Sequence, residues 1–557
     1  MTVRRLALVA AVPVALAGAV GAWVLANGRG STPSEALEAP RFVDEAGPSG
    51  VDHTYDGDSP FFVGGGVATL DCDGDAFPDL YLAGGANPAA LYRNDSEVGG
   101  TLRFEHLTDA VTDLTGVTGA YPLDLDGDGL TDLAVLRVGE NVLLRGLGDC
   151  RFERANERWG FDGGEARTMA FAATWEGHAT LPTLAIGDYI PLTEHGTPVP
   201  PCPDNRLLRP TADGTTYGEP IPLTPGYCPL SMLFSDWDRS GRRDLRVSND
   251  RQYYTDGEEQ LWRIEPGADP VAYTAADGWT RLQVWGMGIA SQDLTGDGYP
   301  EVYLTSQGDN KLQTLMAGPD APTYRDIAYA AGVHAPRPFT GGDAGGSTAW
   351  HPEFVDVNAD GFLDLYVTKG NVSQQVGYAM RDPSELFLGQ PDGTFRQATE
   401  DAGLLRFDRG RGATLADLNL DGLPDLVEVY LSEPVGVWRN VGGGTTDAPQ
   451  PMGHWLELRL SQGGRNRDAV GAWVEVRIGE ATILHEVTVG GGHISGDAGW
   501  IHVGLGPSER AEVRVTWPDG TVGPWQQVAA DDLVIVARDA DQPRVVTPGR
   551  EDSSGDG

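Results

Sequence analysis

The stretch Asp124-Leu-Asp126-Gly-Asp128-Gly129-Leu-Thr-Asp132-Leu133 places four carboxylates at positions one, three, five and nine of one short loop. Carboxylates this close repel one another, so a folded chain that keeps them together needs a cation, and oxygen-only ligands point to a hard ion such as Ca2+. Gly129 at position six permits the sharp turn that folds positions one, three and five around one ion. Position seven then offers a carbonyl, and position nine closes the site.

The same spelling recurs five more times: Asp71, Asp73, Asp75, Asp79; Asp236, Asp238, Ser240, Asp244; Asp293, Thr295, Asp297, Glu301; Asp356, Asn358, Asp360, Asp364; and Asp417, Asn419, Asp421, Asp425. The expectation is therefore calcium, with up to six loops holding an ion. Only Ala76 breaks the rule of Gly at position six. An EF-hand would need Glu at position twelve and flanking helices. Position twelve here is Leu82, Val135, Val247, Leu304, Val367 or Glu428, which excludes that reading. Asp and Gly also make metal-free turns, but six copies in phase argue against turns alone. The Asp236 loop carries Arg239, Arg242 and Arg243 and is expected to be the weakest site, or empty.

Loop starts are 53, 112, 57, 63 and 61 residues apart, so one copy in the double gap has lost its ligands. Phe171-Ala-Ala-Thr174-Trp-Glu176-Gly-His178, followed by Leu184-Ala-Ile186, sits in the right place with Thr and His where carboxylates belong. Around each loop the pattern repeats. Small residues precede the acids, as in Gly64-Gly-Gly-Val67, a β-rich run such as Leu80-Tyr81-Leu82 follows, then runs such as Leu91-Tyr-Arg-Asn94 and Val437-Trp-Arg-Asn440, then an aromatic-led strand at Phe104, Phe152, Tyr324 or Phe395. Four short strands per period predict an all-β, seven-bladed β-propeller over residues 41–447. The last unit lacks its aromatic-led strand, and a matching piece stands alone at Phe42-Val-Asp-Glu-Ala-Gly47. That N-terminal strand is predicted to complete the last blade and leave no open sheet edge.

Residues 453–537 alternate apolar and charged positions, as in Leu456, Leu458, Leu460 and Ala472, Val474, Val476, Ile478, which predicts a half-buried antiparallel sheet in a small C-terminal β-sandwich. The polar link from Val441 to Gly453 marks the boundary. His454, His485, His493 and His502 fall in this module. Single histidines on alternating strands usually serve packing, and no catalytic role is assigned to them. Residues 538–557 are expected to be a disordered tail.

The formal net charge of −41, with 81 acidic against 40 basic residues, argues against nucleic acid as a partner. Twenty of those acids lie in the six loops. At the N-terminus, Arg4 and Arg5 precede an uncharged apolar run from Leu6 to Ala26, read as an export signal over residues 1–26 or as a retained membrane anchor, with 27–40 as linker. Export permits disulfides. Of the three pairings that four cysteines allow, Cys202 with Cys228 is favoured because it closes a Pro- and Gly-rich insertion, leaving Cys72 with Cys150.

These loops and their flanking strands resemble FG-GAP/VCBS repeats, as in integrin α-subunit propellers. Trp455-Leu-Glu-Leu-Arg-Leu460, Asn466-Arg-Asp468-Ala-Val-Gly471, Gly490-Gly-Gly-His-Ile-Ser495, His502-Val-Gly-Leu-Gly506 and Val515-Thr-Trp517-Pro-Asp-Gly520 resemble the ASPIC/UnbV domain. Together they are similar to the cartilage acidic protein 1 family. That resemblance implies an exported calcium-binding propeller without established enzymatic activity, engaging an unknown protein or glycan at the cell surface or outside the cell. The alternatives are a secreted propeller enzyme acting on polysaccharide, with a carboxylate pair in the central channel, and a membrane-anchored assembly factor.

Overall fold

The computed structural model describes residues 36–177, 179–191, 201–252, 256–334 and 345–549. The N-terminal segment with Arg4, Arg5 and the run to Ala26, together with His178 and residues 550–557, lies outside the described residues.

The chain is all-β, and each acidic loop is the hairpin between the first two strands of a unit. Val67–Leu70 pairs with Asp79–Leu82, then Ala90–Asn94, then Phe104–Leu107. Three further four-stranded sheets repeat this order from Pro229–Ser235, Gly286–Gln292 and Ala349–Val355, and their aromatic-led outer strands include Tyr324–Asp326 and Phe395–Gln397. The units starting at Val117–Leu123 and Ala166–Thr174 are fused into one eight-stranded sheet where Ala166 and Arg167 pair with Gly139 and Val138. The sheet from Gly410–Ala416 takes its outer strand from the other end of the chain: Phe42 pairs with Asn440, Val43 with Arg439 and Asp44 with Trp438, as the orphan segment predicted. Buried Glu45 and Arg439 clamp this junction with an ion pair at 2.8 Å.

The first strands lie side by side in chain order, and Gly410–Ala416 comes back against Val67–Leu70. They are short, nearly all buried and rich in small residues, because several first strands converge and leave little room for side chains. Both expected disulfides are present, Cys72–Cys150 and Cys202–Cys228. Asn94 and Asn371, each in a glycosylation sequon, are buried and hydrogen-bonded.

The C-terminal module has two four-stranded sheets enclosing one apolar core that includes Leu456, Leu458, Val474, Val476, Val513 and Val534. Two expectations need correction. The module is not wholly antiparallel, since His454–Ser461 pairs in parallel with Asp532–Ala537. The tail expected to be disordered from residue 538 is ordered to Gly549: Arg544 and Val545 add a strand to Asp532–Ala537, and the Gly549 amide donates to the Asp75 carbonyl at 3.0 Å. Exposed backbone groups at a sheet edge recruit even a polar strand.

The module also sends a loop into the middle of the ring, which nothing in the alternation pattern foretold. Val489–Gly499 touches the first strand of every unit. Ala173 donates to the Val489 carbonyl (3.0 Å), Gly491 to Met232 (2.6 Å), Ile289 to Gly492 (3.2 Å) and Thr69 to Gly496 (3.1 Å). The Tyr121 hydroxyl donates to the Gly491 carbonyl, the His493 amide donates to His351 Nδ1, and Ser495 crowds Gly412. Backbone lies so close to backbone that a Cβ on Gly66 would sit 1.8 Å from the Ile494 carbonyl oxygen, and one on Gly119 would sit 2.0 Å from it. Gly66→Ala is therefore expected to cost about 1–3 kcal/mol or more in urea unfolding, as overpacking does. Gly47→Ala, where nothing lies within 4 Å of the new methyl, is the near-neutral control.

Candidate metal centre

All six loops share one backbone design. The position-six amide donates to the position-one carboxylate in each: Ala76 to Asp71 (3.2 Å), Gly129 to Asp124 (2.9 Å), Gly241 to Asp236 (3.0 Å), Gly298 to Asp293 (3.0 Å), Gly361 to Asp356 (2.7 Å) and Gly422 to Asp417 (2.6 Å). Position six is left-handed throughout, and Ala76 adopts φ 80° despite its Cβ. Position four is left-handed as well, including Arg239, Ala359 and Leu420, a constraint hidden in the sequence because those residues are not glycine.

The position-nine carboxylates are buried: Asp79, Asp132, Asp244, Glu301, Asp364 and Asp425. In four loops each of the two oxygens takes a backbone amide. Asp132 accepts from Leu125 (2.7 Å) and Gly146 (2.8 Å), Asp79 from Cys72 and Asn94, Asp364 from Val357 and Gly389, and Asp425 from Leu418 and Asn440. This residue locks the loop to the third strand as well as facing the other acids. The Asn that ends two third strands extends the lock: the Asn94 side chain donates to the Pro78 and Leu418 carbonyls, and that of Asn440 to Val357 and Pro424. The recurring Arg-Asn pair was visible in the sequence, but its bridging role between neighbouring loops was not.

In the two four-carboxylate loops, the oxygens of Asp71, Asp73 and Asp79, and of Asp124, Asp126 and Asp132, come within 4.8 Å of one another. The cluster thus unites positions one, three and nine. Position five accepts from the position-seven amide, as Asp75 does from Phe77 (2.9 Å), Asp128 from Leu130 (3.0 Å), Asp297 from Tyr299 (3.0 Å), Asp360 from Phe362 (2.9 Å) and Asp421 from Leu423 (3.1 Å). Thr295 at position three of its loop bonds Glu301. Asn358 accepts from the Asp360 amide, and Ser240 accepts from the Arg242 amide.

Burial makes these negative charges costly. It pushes Asp124, Asp236, Asp293 and Asp421 up to about 6, Asp356 to about 7, and Asp132 and Glu301 to about 8, with neighbouring carboxylates adding to the shift in most of them. Two oxygens at position three, Asp126 Oδ1 and Asn419 Oδ1, are buried with no hydrogen-bond partner. Crowded carboxylates, hard oxygen donors and orphaned acceptors at one position fit a divalent cation.

The Asp236 loop keeps carboxylates at positions one, three and nine and sets an arginine against them. Arg242 grips Asp244 through Nε (2.8 Å) and Nη2 (3.1 Å) and reaches toward Asp238 at 3.7 Å. Trp237 and Tyr273 complete the cage around Asp244, and Trp473 from the C-terminal module meets Asp236 at 3.4 Å. In the unit of Phe171–Ala173, Arg209 bonds Glu176 at 2.7 Å. A guanidinium is not confined to these two units: Arg145 bonds Asp126 at 2.9 Å and also Asp128, and Arg459 bonds Asp71 at 2.9 Å.

Residues 71–172 match the family described as FG-GAP-like repeat. Residues 462–543 match the family ASPIC and UnbV. Cartilage acidic protein 1 of Mus musculus is 24% identical over 241 residues, covering 42% of this chain and 34% of that protein. The chain therefore matches about a third of the length of that relative. Similar solved structures include a lectin of Agrocybe aegerita described as recognising non-reducing terminal N-acetylglucosamine (14% identity, 67% of this chain, 93% of that one, TM-score 0.38) and the Dos1 propeller (10% identity, 73% and 96%, TM-score 0.33). The chain is all-β, with FG-GAP-like repeats and an ASPIC/UnbV segment near its C-terminal end.

Asp244 has no exposed surface, whereas the Arg242 side chain is 28% exposed. Arg242→Gln is expected to destabilise the protein in chelator by about 2–3 kcal/mol, less than the 3–5 typical of a fully buried pair because Arg242 is partly solvated. Calcium should recover part of that loss in the variant, as read by urea unfolding.

Proposed function

We propose that the protein is an exported, calcium-binding, seven-bladed β-propeller of residues 41–447 with a C-terminal β-sandwich of residues 453–537, and that it works without catalysis as a protein- or glycan-binding module outside the cytoplasm. The cyclic contact of the first strands, from Val67–Leu70 round to Gly410–Ala416, supports the blade count, and two sheets on one core support the sandwich. Two disulfides and the FG-GAP-like repeats are consistent with an extracellular or periplasmic location. Acidic surface and the absence of any basic tract in the described loops speak against nucleic acid.

The observation that carries the calcium reading is the pair of three-carboxylate clusters at Asp71 and Asp124, with Asp126 Oδ1 left unpartnered beside its neighbours. Asp71, Asp73 and Asp79 would hold one ion, and Asp124, Asp126 and Asp132 another. In the loops of Asp293, Asp356 and Asp417, Thr295, Asn358 and Asn419 would supply the neutral oxygen. The ion supplies fixed positive charge that joins two strands and a loop; it has no chemical step to perform. Exported calcium modules bind at about 0.1–1 mM, a range suited to a structural role in calcium-rich surroundings.

Val489–Gly499 lies among the first strands, and beside it a cavity of about 570 Å3 is lined in part by His351, Glu353, Glu457 and Asp497, which is where the alternative polysaccharide enzyme would have to work. The C-terminal module covers the acidic-loop face. This leaves the opposite face, with the Cys202–Cys228 insertion, as the proposed binding surface.

Calcium should raise the melting temperature of chelator-treated protein, because a ligand of the native state alone must stabilise it. Chelator-treated protein should also lose stability as pH rises from 7 to 8.5. Asp132 and Glu301 titrate near 8 and Asp356 near 7 when folded, far above an unfolded carboxyl, so the native state binds more protons and each loses its contribution as pH passes the folded value. His485, pushed down to about 4 by burial, acts mainly below this window. Saturating calcium should make the slope shallower. Urea titrations at three pH values with calcium or chelator test this, and identical slopes in both would sink the reading.

A further inference from the structure

The C-terminal module touches all six acidic loops. Arg459 bonds Asp71 (2.9 Å), Arg465 bonds the Asp126 carbonyl, Glu486 accepts from the Asp236 amide (2.7 Å), His485 meets Gln292 (3.2 Å), the Gly506 amide donates to Ala359 (3.0 Å), and Trp455 packs over Gly422. At the Asp356 loop the contact has a further property. A cavity of about 20 Å3 lies between loop and module, lined by Gln292, Asp356, His485, His502 and Gly504. That is room for one water molecule.

His502 Nε2 is buried without a hydrogen-bond partner, on a side chain only 6% exposed, and the ring lines this cavity. On its other side, Nδ1 lies 2.7 Å from Oε1 of Glu457, which is 1% exposed. A carboxylate accepts only, so Nδ1 carries the proton, and in the neutral ring Nε2 presents its lone pair to the cavity. Asp356 approaches from the opposite wall so closely that a Cβ on Gly504 would sit 1.9 Å from Asp356 Oδ2. Only glycine fits there.

We infer that the C-terminal module completes the cation site of the Asp356 loop: a water bound to the ion occupies this cavity and donates a hydrogen bond to His502 Nε2, with Glu457 fixing the ring. This rests on the calcium reading of the loops and extends it across the domain boundary. Imidazole is a poor direct ligand for a hard ion but a good acceptor for a proton of an ion-bound water, and a carboxylate behind the ring orients it. His502 and Glu457 are thus positioning residues for a divalent cation, contributed by a different module from the ligands.

The test is calcium titration calorimetry on the full chain, stripped of metal, as wild type, His502→Phe, His502→Gln, Glu457→Gln, Asp356→Asn and the double variant His502→Phe/Asp356→Asn. His502→Phe should weaken one class of site about tenfold or more. His502→Gln, whose amide oxygen replaces the Nε2 acceptor, should retain most of the affinity, and Glu457→Gln should fall between. In the Asp356→Asn background, His502→Phe should cause no further loss. A His502→Phe isotherm matching wild type overturns the inference, as does an undiminished loss in the Asp356→Asn background. A wild-type chain that takes up no calcium overturns the calcium reading and this inference together, which distinguishes the two failures.

Discussion

A buried carboxylate at position nine is common to all six acidic loops, and in four of them backbone amides lock both of its oxygens. Asp132 and its counterparts at position nine sit where the hairpin meets the third strand, and their negative charge cannot be relieved by water. Amide hydrogen bonds offset part of the desolvation cost. Arginines beside the loops supply fixed positive charge: Arg242 against Asp244, Arg209 against Glu176, Arg145 against Asp126 and Asp128, and Arg459 against Asp71. In the calcium reading, a bound ion would supply the rest in the five units that keep the oxygen-rich loop.

The second constraint is axial. Glycines at positions 66, 119, 288 and 412 allow the Gly-rich turn Gly490–Ser495 to lie against every first strand, so propeller and C-terminal module share a core as well as a surface. His493, within this turn, is buried between the Val63 and Leu230 carbonyls. A module that both plugs the axis and touches all six loops ties the state of the loops to the docking of the module. Rigidity of the whole disk then depends on sites that are far apart in sequence.

Much of this was legible in the sequence. Six loops in phase with a strand period, and one gap of double length, point to the repeated hairpin unit and to the copy at Phe171–Glu176 that lacks its acids. The lone Phe42 segment announces its pairing with the last unit because an aromatic-led strand is missing there. Other features stayed hidden for physical reasons. The left-handed conformation of Ala359 and Leu420 is imposed by the loop and leaves no glycine to read. Gly490–Ser495 has no periodicity, and its role depends on contacts to seven separate strands. The cluster at positions one, three and nine, with position five turned to its own loop, depends on side-chain directions that spacing does not encode. The parallel pairing of His454–Ser461 with Asp532–Ala537 joins residues too distant for alternation to reveal.

The most direct measurement of the central claim is elemental analysis of natively purified, undialysed protein. The account predicts calcium at several ions per chain, with the Asp71 and Asp124 loops among those filled. Protein that is folded and carries no alkaline-earth metal would contradict it, and the buried acids would then have to be held as neutral carboxyls or by their amides alone.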